Sequence, residues 1–356
     1  MLRTPTVSAL LGLALLSCSP ATAPEARAPL KAGTVLRNGT PVPMPAKPAK
    51  NGSHKSSSTP SLNQLLAAAD GSVLVHSIDP RAHNVVNGWR GTVLTLPPNS
   101  LVLPDGSDPA GPVTITLREF YTPADMIGAR ISTVSFGRLL ETAGAVLVEA
   151  RAADAVCALR PGTLVDLEFP YDEKLPGMQL FAGSREGGRF NWNAIYDLKS
   201  GNRFTRTEPA PVAHRVGNGY YSFHCPVLGL VSCSRFTEQS DDTETLAIAA
   251  EPMEEGAAFV LFHNSNSIVE GRITGGRARF DSLPAGEPVT ALLTKRSGGK
   301  LFLSVKWGIV GSRGLEQPEF VVVTPKELQE KLRSLARKPA EASVALRRTP
   351  VDPVLL

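Results

Sequence analysis

The sequence predicts an all-β fold: two antiparallel β-sandwich domains joined by an irregular linking region, with one C-terminal amphipathic helix. Three observations carry this. Short segments alternate apolar and polar residues, as in Val113-Thr114-Ile115-Thr116-Leu117, the pattern of a strand with one buried face. Thirty prolines and 31 glycines interrupt them, which favours many turns over long helices. A capped helical period is clear in one place, near the C-terminus.

The elements follow in chain order. Arg3 precedes a short apolar run, Val7 to Leu16. Spanning a bilayer takes about 20 apolar residues, so this run suits the hydrophobic region of a secretory signal instead. Leu15-Leu16-Ser17-Cys18 then resembles a bacterial lipobox, although Leu16 is larger than the usual residue there. The resemblance implies cleavage after Ser17 and a lipidated Cys18. Residues 1–17 are thus read as a signal peptide. Acyl chains contribute about 0.8 kcal/mol per buried CH2, so several on one residue anchor stably. No later apolar stretch reaches spanning length. The expected location is the cell envelope, at the outer membrane, held by the N-terminal lipid.

Residues 18–60 are rich in Pro, Ala, Lys and Ser and read as a disordered tether, too polar to bury itself. A first β-sandwich domain is expected over 61–171. It opens with a short helical turn in 61–69, followed by strands at Val73–Ser77, Thr92–Leu96, Val113–Arg118, Ala145–Ala150 and Leu164–Phe169. Asp105-Gly106 and Pro161-Gly162 mark turns between them. Glu119 falls in phase with the apolar set of its strand, so it either reaches solvent at the strand's end or is paired with a cation on folding. Residues 172–238 read as a connecting subdomain: Asp172 to Arg206 is rich in Gly, Asn and charge, with Trp192 and Tyr196 as packing anchors, and Gly219–Ser222 and Leu228–Cys233 read as short strands. A second sandwich is expected over 239–324, with strands at Ala257–Phe262, Ala278–Phe280, Val289–Leu293, Leu301–Val305 and Phe320–Val323. Ser297-Gly298-Gly299-Lys300 reads as a hairpin turn rather than a phosphate loop. The helix is placed at 325–338. Thr324-Pro325-Lys326-Glu327 is a capping box with proline at the first helical position, and Leu328, Leu332 and Leu335 form a narrow apolar stripe. Residues 339–356 read as a disordered tail.

Three stretches carry a family resemblance: Gly91-Thr92-Val93-Leu94-Thr95-Leu96-Pro97-Pro98, then Gly111-Pro112-Val113-Thr114-Ile115-Thr116-Leu117-Arg118-Glu119-Phe120, then Leu139-Leu140-Glu141-Thr142-Ala143-Gly144. Together they resemble an uncharacterised family of Bacteroidota exported lipoproteins. Leu228-Gly229-Leu230-Val231-Ser232-Cys233-Ser234-Arg235-Phe236 is similar to a further motif of that family. There the positions of Leu230, Ser232 and Ser234 hold Trp, Asn and Asp. The resemblance covers residues 70–335. It implies a first domain similar to the sandwich shared by ankyrins and netrin receptors, and a second that is immunoglobulin-like, of the kind used as a regulatory or stalk domain. It implies no reaction.

Hydrophobic content of 42%, charged content of 20% and a net charge of +4 describe a globular, mildly basic chain without the concentrated charge of a nucleic-acid binder. No hydrolase elbow, His-Glu-x-x-His or Walker loop occurs. His224 beside Cys225 lacks the ligand spacing of a zinc site. Asp105 and Asp108 are too few for calcium. No metal or cofactor is expected. In an oxidising compartment Cys225 and Cys233, with Gly229 to turn the chain between them, are a candidate disulfide. The competing reading makes Cys157 and Cys233 buried small hydrophobes. Glu119, Asp125 and Glu141 are read as ion-pair partners of the arginines Arg118, Arg130 or Arg138 rather than as a glycosidase pair. Of Trp89, Trp192 and Trp307, Trp192 is the candidate ligand contact, because Phe190-Asn191-Trp192-Asn193 looks the most exposed. The expected function is that of a non-catalytic envelope lipoprotein acting as a structural or protein-interaction module. Its expected partners are the membrane, through the lipid, and an envelope protein. Binding of glycan or peptidoglycan is the alternative.

Overall fold

The computed structural model describes residues 34–37, 40–43, 60–68, 73–186, 189–195, 215–217, 219–238, 242–250, 253–312 and 314–335. The signal peptide, Cys18, Tyr196 and the C-terminal tail lie outside the described residues. Two strands, Thr34–Arg37 and Thr40–Pro43, pair antiparallel inside the segment expected as a disordered tether. The Asn38-Gly39 pair between them is the usual sequence signal for a two-residue hairpin loop.

The fold is all-β, with three short helices among the described residues, and its layers follow from which face each strand buries. Sheet I holds Arg215–Gly217, Tyr220–Cys225, Val165–Pro170, Val93–Leu96 and Asn84–Asn87, in that spatial order. Sheet II runs Arg189–Ala194, Gln179–Glu186, Gly229–Phe236, Arg138–Ala152, Val113–Phe120, Val73–Ile78. The short strands Val134–Ser135 and Ala155–Val156 pair on Arg138–Ala152. Every pairing in the two sheets is antiparallel. Alternate residues meet in the core between the two sheets: Leu94, Leu96, Leu167, Phe169 and Phe223 from sheet I against Ile115, Leu117, Val146, Val148 and Val231 from sheet II.

Residues 172–238 are therefore not a connecting subdomain. Their strands complete both sheets of the first sandwich. The Gly- and Asn-rich composition that suggests irregular structure belongs to the turns and the outward positions. Leu180, Ala182, Val231 and Cys233 still alternate inward.

The second sandwich pairs sheet III with sheet IV. Sheet III is Ile268–Glu270, Glu255–Phe262, Pro288–Ser297, Lys300–Ile309 and Val321–Val323; sheet IV is Thr243–Ala249, Arg277–Pro284 and Arg272–Thr274. Val260, Phe262, Val289 and Leu293 face Ile248, Ala278 and Phe280 across its core. Gly298 and Gly299, both left-handed (φ 56° and 71°), close the Ser297–Lys300 hairpin, as a two-residue loop of that kind requires.

Between the sandwiches lies a third core. Helices α1 (Leu62–Ala67), α2 (Pro123–Ala129) and α3 (Pro325–Ser334) contribute Leu62, Leu65, Leu66, Ile127, Leu328 and Leu332. They pack against Phe120, Leu147, Phe181 and Trp192 on the outer face of sheet II and against Phe259, Leu261, Leu292 and Leu303 on sheet III. The layers run sheet I, sheet II, helices, sheet III, sheet IV. The central strands of sheets II and III are thus covered on both faces, which is why strands such as Arg138–Ala152 read as near-continuous apolar runs, whereas the edge strands Val73–Ile78 and Val321–Val323 stay largely exposed.

The caps explain where the helices begin. Thr324 Oγ1 accepts from Glu327 N (3.2 Å) and Glu327 Oε2 accepts from Thr324 N (2.7 Å), as the capping box predicts. Helix α3 ends at Ser334 with Leu335 as its C-cap, four residues before the expected end at 338. Helix α2 was not expected, yet it carries the same signature: Thr122, Pro123, and Asp125 closing a second capping box. After α2 the chain runs along sheet III. Ser132 Oγ accepts from Glu270 N (2.8 Å), Thr133 Oγ1 accepts from Ile268 N (2.8 Å), and Arg130 pairs with Glu270. Asn266 Nδ2 donates to Thr142 O (2.8 Å) and Ser267 Oγ donates to Leu140 O (2.9 Å). The two sandwiches are joined by a hydrogen-bonded seam. Among the described residues no helix is long and apolar enough to cross a membrane.

Candidate functional site

Among the large hydrophobic side chains described in the first sandwich, Trp89 is the most exposed, at 69%. It stands at the tip of the hairpin between Asn84–Asn87 and Val93–Leu96. The hairpin tip is short: Gly88 N donates to Thr92 O (2.7 Å), and Gly91, at φ 99°, takes the left-handed turn before Thr92.

What holds this tip lies beneath it. Glu119, at the end of Val113–Phe120, stays in phase with the inward residues and is 1% exposed. Its carboxylate reaches across from sheet II and accepts from Arg90 N (2.9 Å) and Thr92 N (3.1 Å). Glu119 therefore neither ends in solvent nor meets an arginine side chain; its partners are main-chain amides of the tip. Gly88 is needed for this approach, because a Cβ there would stand 2.4 Å from Glu119 Oε1. The Arg90 guanidinium turns the other way, onto Asp125. It donates from one nitrogen to Oδ2 (2.8 Å) and from the other to Oδ1 (3.1 Å). Asp125 Oδ2 also accepts from Thr122 N (2.8 Å) and Tyr121 N (3.2 Å). Tyr121 completes the support through a hydroxyl contact with Thr92 Oγ1 at 2.7 Å, and burial pushes its phenol pKa well up. Gly144, at φ 146°, leaves room for the Tyr121 ring, which a Cβ would approach to 2.2 Å. A main-chain tip held by charge-assisted hydrogen bonds from a buried base is preorganised.

The other candidate residues fall elsewhere. Trp192 is not a surface contact. It is 1% exposed, donates from Nε1 to Ser132 O (2.7 Å), and stacks edge-to-face on Phe190 with centroids 5.0 Å apart. Strand alternation turns it toward the helical layer, while its neighbours Asn191 and Asn193 are hydrogen-bonded along the strand. Trp307, 51% exposed, lies on sheet III, so Trp89 and Trp307 stand on different sandwiches and form no shared platform. Glu141 pairs with Arg235, whose Nε and terminal nitrogen donate to Oε2 at 2.8 and 2.6 Å. The three carboxylates are thus all engaged in holding the sandwich, through Arg90, Arg235 and main-chain amides rather than through Arg118, Arg130 or Arg138.

Cys225 and Cys233 are not bonded; both are buried free thiols, as is Cys157. Cys225 ends its strand in sheet I, whereas Cys233 lies four residues past Gly229 in sheet II. Burial pushes the Cys225 thiol up to about 12 and the Cys233 thiol well above its usual value. Thiolate is therefore scarce near neutral pH. A thiol reagent at neutral pH is expected to leave Cys225 and Cys233 unlabelled in the native chain and to label both at once in denaturant; fast native labelling of either would count against this packing. A thiol pKa raised by folding contributes stability that is intact below the unfolded value near 9 and declines as pH climbs toward about 12.

His224 Nδ1 lies 2.6 Å from Asp166 Oδ1 in an exposed pair, not beside a second cysteine. Asp105 closes its own turn by accepting from Ser107 N (3.0 Å), and Asp108 pairs with Arg160. Among the described residues no three His, Cys, Asp or Glu side chains come together in a metal-binding group. Comparison with known proteins places the chain beside none of them: no protein-family model, no curated protein and no solved structure matches it.

Proposed function

We propose that the chain is a non-catalytic, lipid-anchored module of the cell envelope that presents a rigid surface to a protein partner, with Trp89 at the centre of the contact. The observation that supports this is the combination of an exposed tryptophan with a tip fastened from below by buried Glu119 and Asp125. Tryptophan is over-represented among the residues that dominate interface energies. A tip already ordered loses little entropy on binding. Glu119, Asp125 and Glu141, the carboxylates weighed as a glycosidase pair, are each held in contacts within the fold. Lipobox-like Leu15-Leu16-Ser17-Cys18 and the resemblance to exported Bacteroidota lipoproteins support the envelope, at the outer membrane, as the place. A second reading, binding of glycan or peptidoglycan, is favoured by the same Trp89 face, since an exposed indole also stacks on a sugar ring; Trp192 does not contribute to it.

The test combines place and contact. In cells, labelled palmitate is expected in the wild-type chain and not in Cys18→Ser, and a photo-reactive residue at position 89 is expected to yield one discrete protein adduct. Absence of palmitate from both chains would sink the anchor. Retention on peptidoglycan that depends on Trp89, with no protein adduct, would replace the first reading by the second.

A further inference from the structure

The outermost layer carries a feature that the Trp89 tip does not use. In sheet IV, Ala278 and Phe280 point into the core, so Arg277 and Arg279 point out. Register places Arg279 directly opposite Arg272 on one side and Ala247 on the other. Arg277 lies opposite Thr274 and Ala249. The alanines form a low floor and the arginines a wall, and the result is an open depression of about 530 Å³ lined by Ala247, Arg272, Thr274, Arg277, Arg279 and Asp281. Asp281 is the one acid in it. It accepts from Arg279 Nε (2.6 Å) and, more distantly, from Arg272 (3.4 Å). Three guanidiniums against one carboxylate leave a local excess of two positive charges, where the whole chain has +4.

Like charges placed directly opposite on neighbouring strands disfavour the sheet. Arg272 and Arg279 are in that position with a single acid between them, so the arrangement is better suited to an anion than to folding. Guanidinium pairs take phosphate oxygens in bidentate fashion. A site for a small free ligand encloses most of its surface; this depression is shallow and lies on the solvent face of the last layer, which suits groups presented from an extended surface. We infer that the outward face of sheet IV docks onto the phosphate groups of an anionic phospholipid surface. The inference deepens the envelope reading, since a chain tethered by lipid keeps this face near a bilayer, but it is measured without the anchor.

The experiment uses the full chain carrying Cys18→Ser, with and without the triple change Arg272→Gln, Arg277→Gln, Arg279→Gln. Binding is read by co-sedimentation with phosphatidylcholine vesicles, with vesicles that also contain phosphatidylglycerol, and in competition with inorganic phosphate. Binding to the anionic vesicles alone is expected, lost at high salt, and weakened by roughly tenfold or more in the triple variant. The replaced side chains are exposed, so an unchanged melting curve verifies the fold, and Arg277→Gln alone is expected to give a smaller loss. Equal binding of wild type and triple variant to anionic vesicles would overturn the inference. Absence of binding to anionic vesicles would overturn it, and a melting curve then raised by millimolar inorganic phosphate would assign the depression to a free anion instead. Neither result touches the anchor, which palmitate incorporation at Cys18 decides separately.

Discussion

Replacing Trp192 with alanine is expected to destabilise the chain by about 3–5 kcal/mol, the range for removing a fully buried tryptophan. Trp192 fills the helical layer between the sandwiches beside Phe120 and Phe181, and truncation leaves a cavity bounded by two sheets that cannot both collapse into it. It also orphans Ser132 O, the acceptor of the indole N–H. Ser132 is itself a joint, because its hydroxyl accepts from Glu270 N in the second sandwich. Denaturant unfolding is expected to show a lower midpoint and a single transition at unchanged slope. A loss below about 1 kcal/mol would contradict the packing. Two separated transitions in the wild type would contradict the seam.

Asp125→Ala is expected to cost about 2–4 kcal/mol. Removing one partner of a buried ion pair costs about 3–5 kcal/mol, and the discount reflects Arg90, whose side chain keeps about a third of its surface in water. Three main-chain or hydroxyl donors, Tyr121 N, Thr122 N and Thr122 Oγ1, lose their acceptor as well. Helix α2 loses its capping box, worth about 1 kcal/mol. A double-mutant cycle with Arg90→Ala isolates the pair: a coupling above about 1 kcal/mol is expected, and a coupling near zero would mean that the guanidinium does not brace the hairpin. Because Trp89 adjoins Arg90, the same variant is expected to weaken whatever Trp89 binds.

The strands of both sandwiches and helix α3 were legible in the sequence because their signals are local. Val113 to Leu117 alternates, and Thr324-Pro325-Lys326-Glu327 caps its helix by contacts within one turn. The Thr122-Pro123-Ala124-Asp125 cap of α2 was equally legible and was obscured by the strand signals around it. Trp192 was misread for a different reason. Its polar neighbours suggested exposure, while what covers it arrives from far along the chain: helices α1 and α3 and sheet III. No periodicity reports a partner that distant. The Cys225–Cys233 pairing failed because spacing alone does not show that the chain changes sheets between them. The braced tip was half visible. Glu119 stood out as a charge in an apolar phase, but its partners, the amides of Arg90 and Thr92, carry no signature in a sequence.

The middle layer has a mechanical consequence. Helix α1, the first helix after Pro60, is a peg of under two turns wedged between sheets II and III by Leu62, Leu65 and Leu66. Leu62 N donates to Glu255 Oε2 (2.6 Å), and Arg296 grips Pro60 O. A pull applied to the chain at Pro60 therefore loads this peg. It draws on contacts from both halves of the molecule at once, so strain spreads through the whole body instead of peeling one sheet.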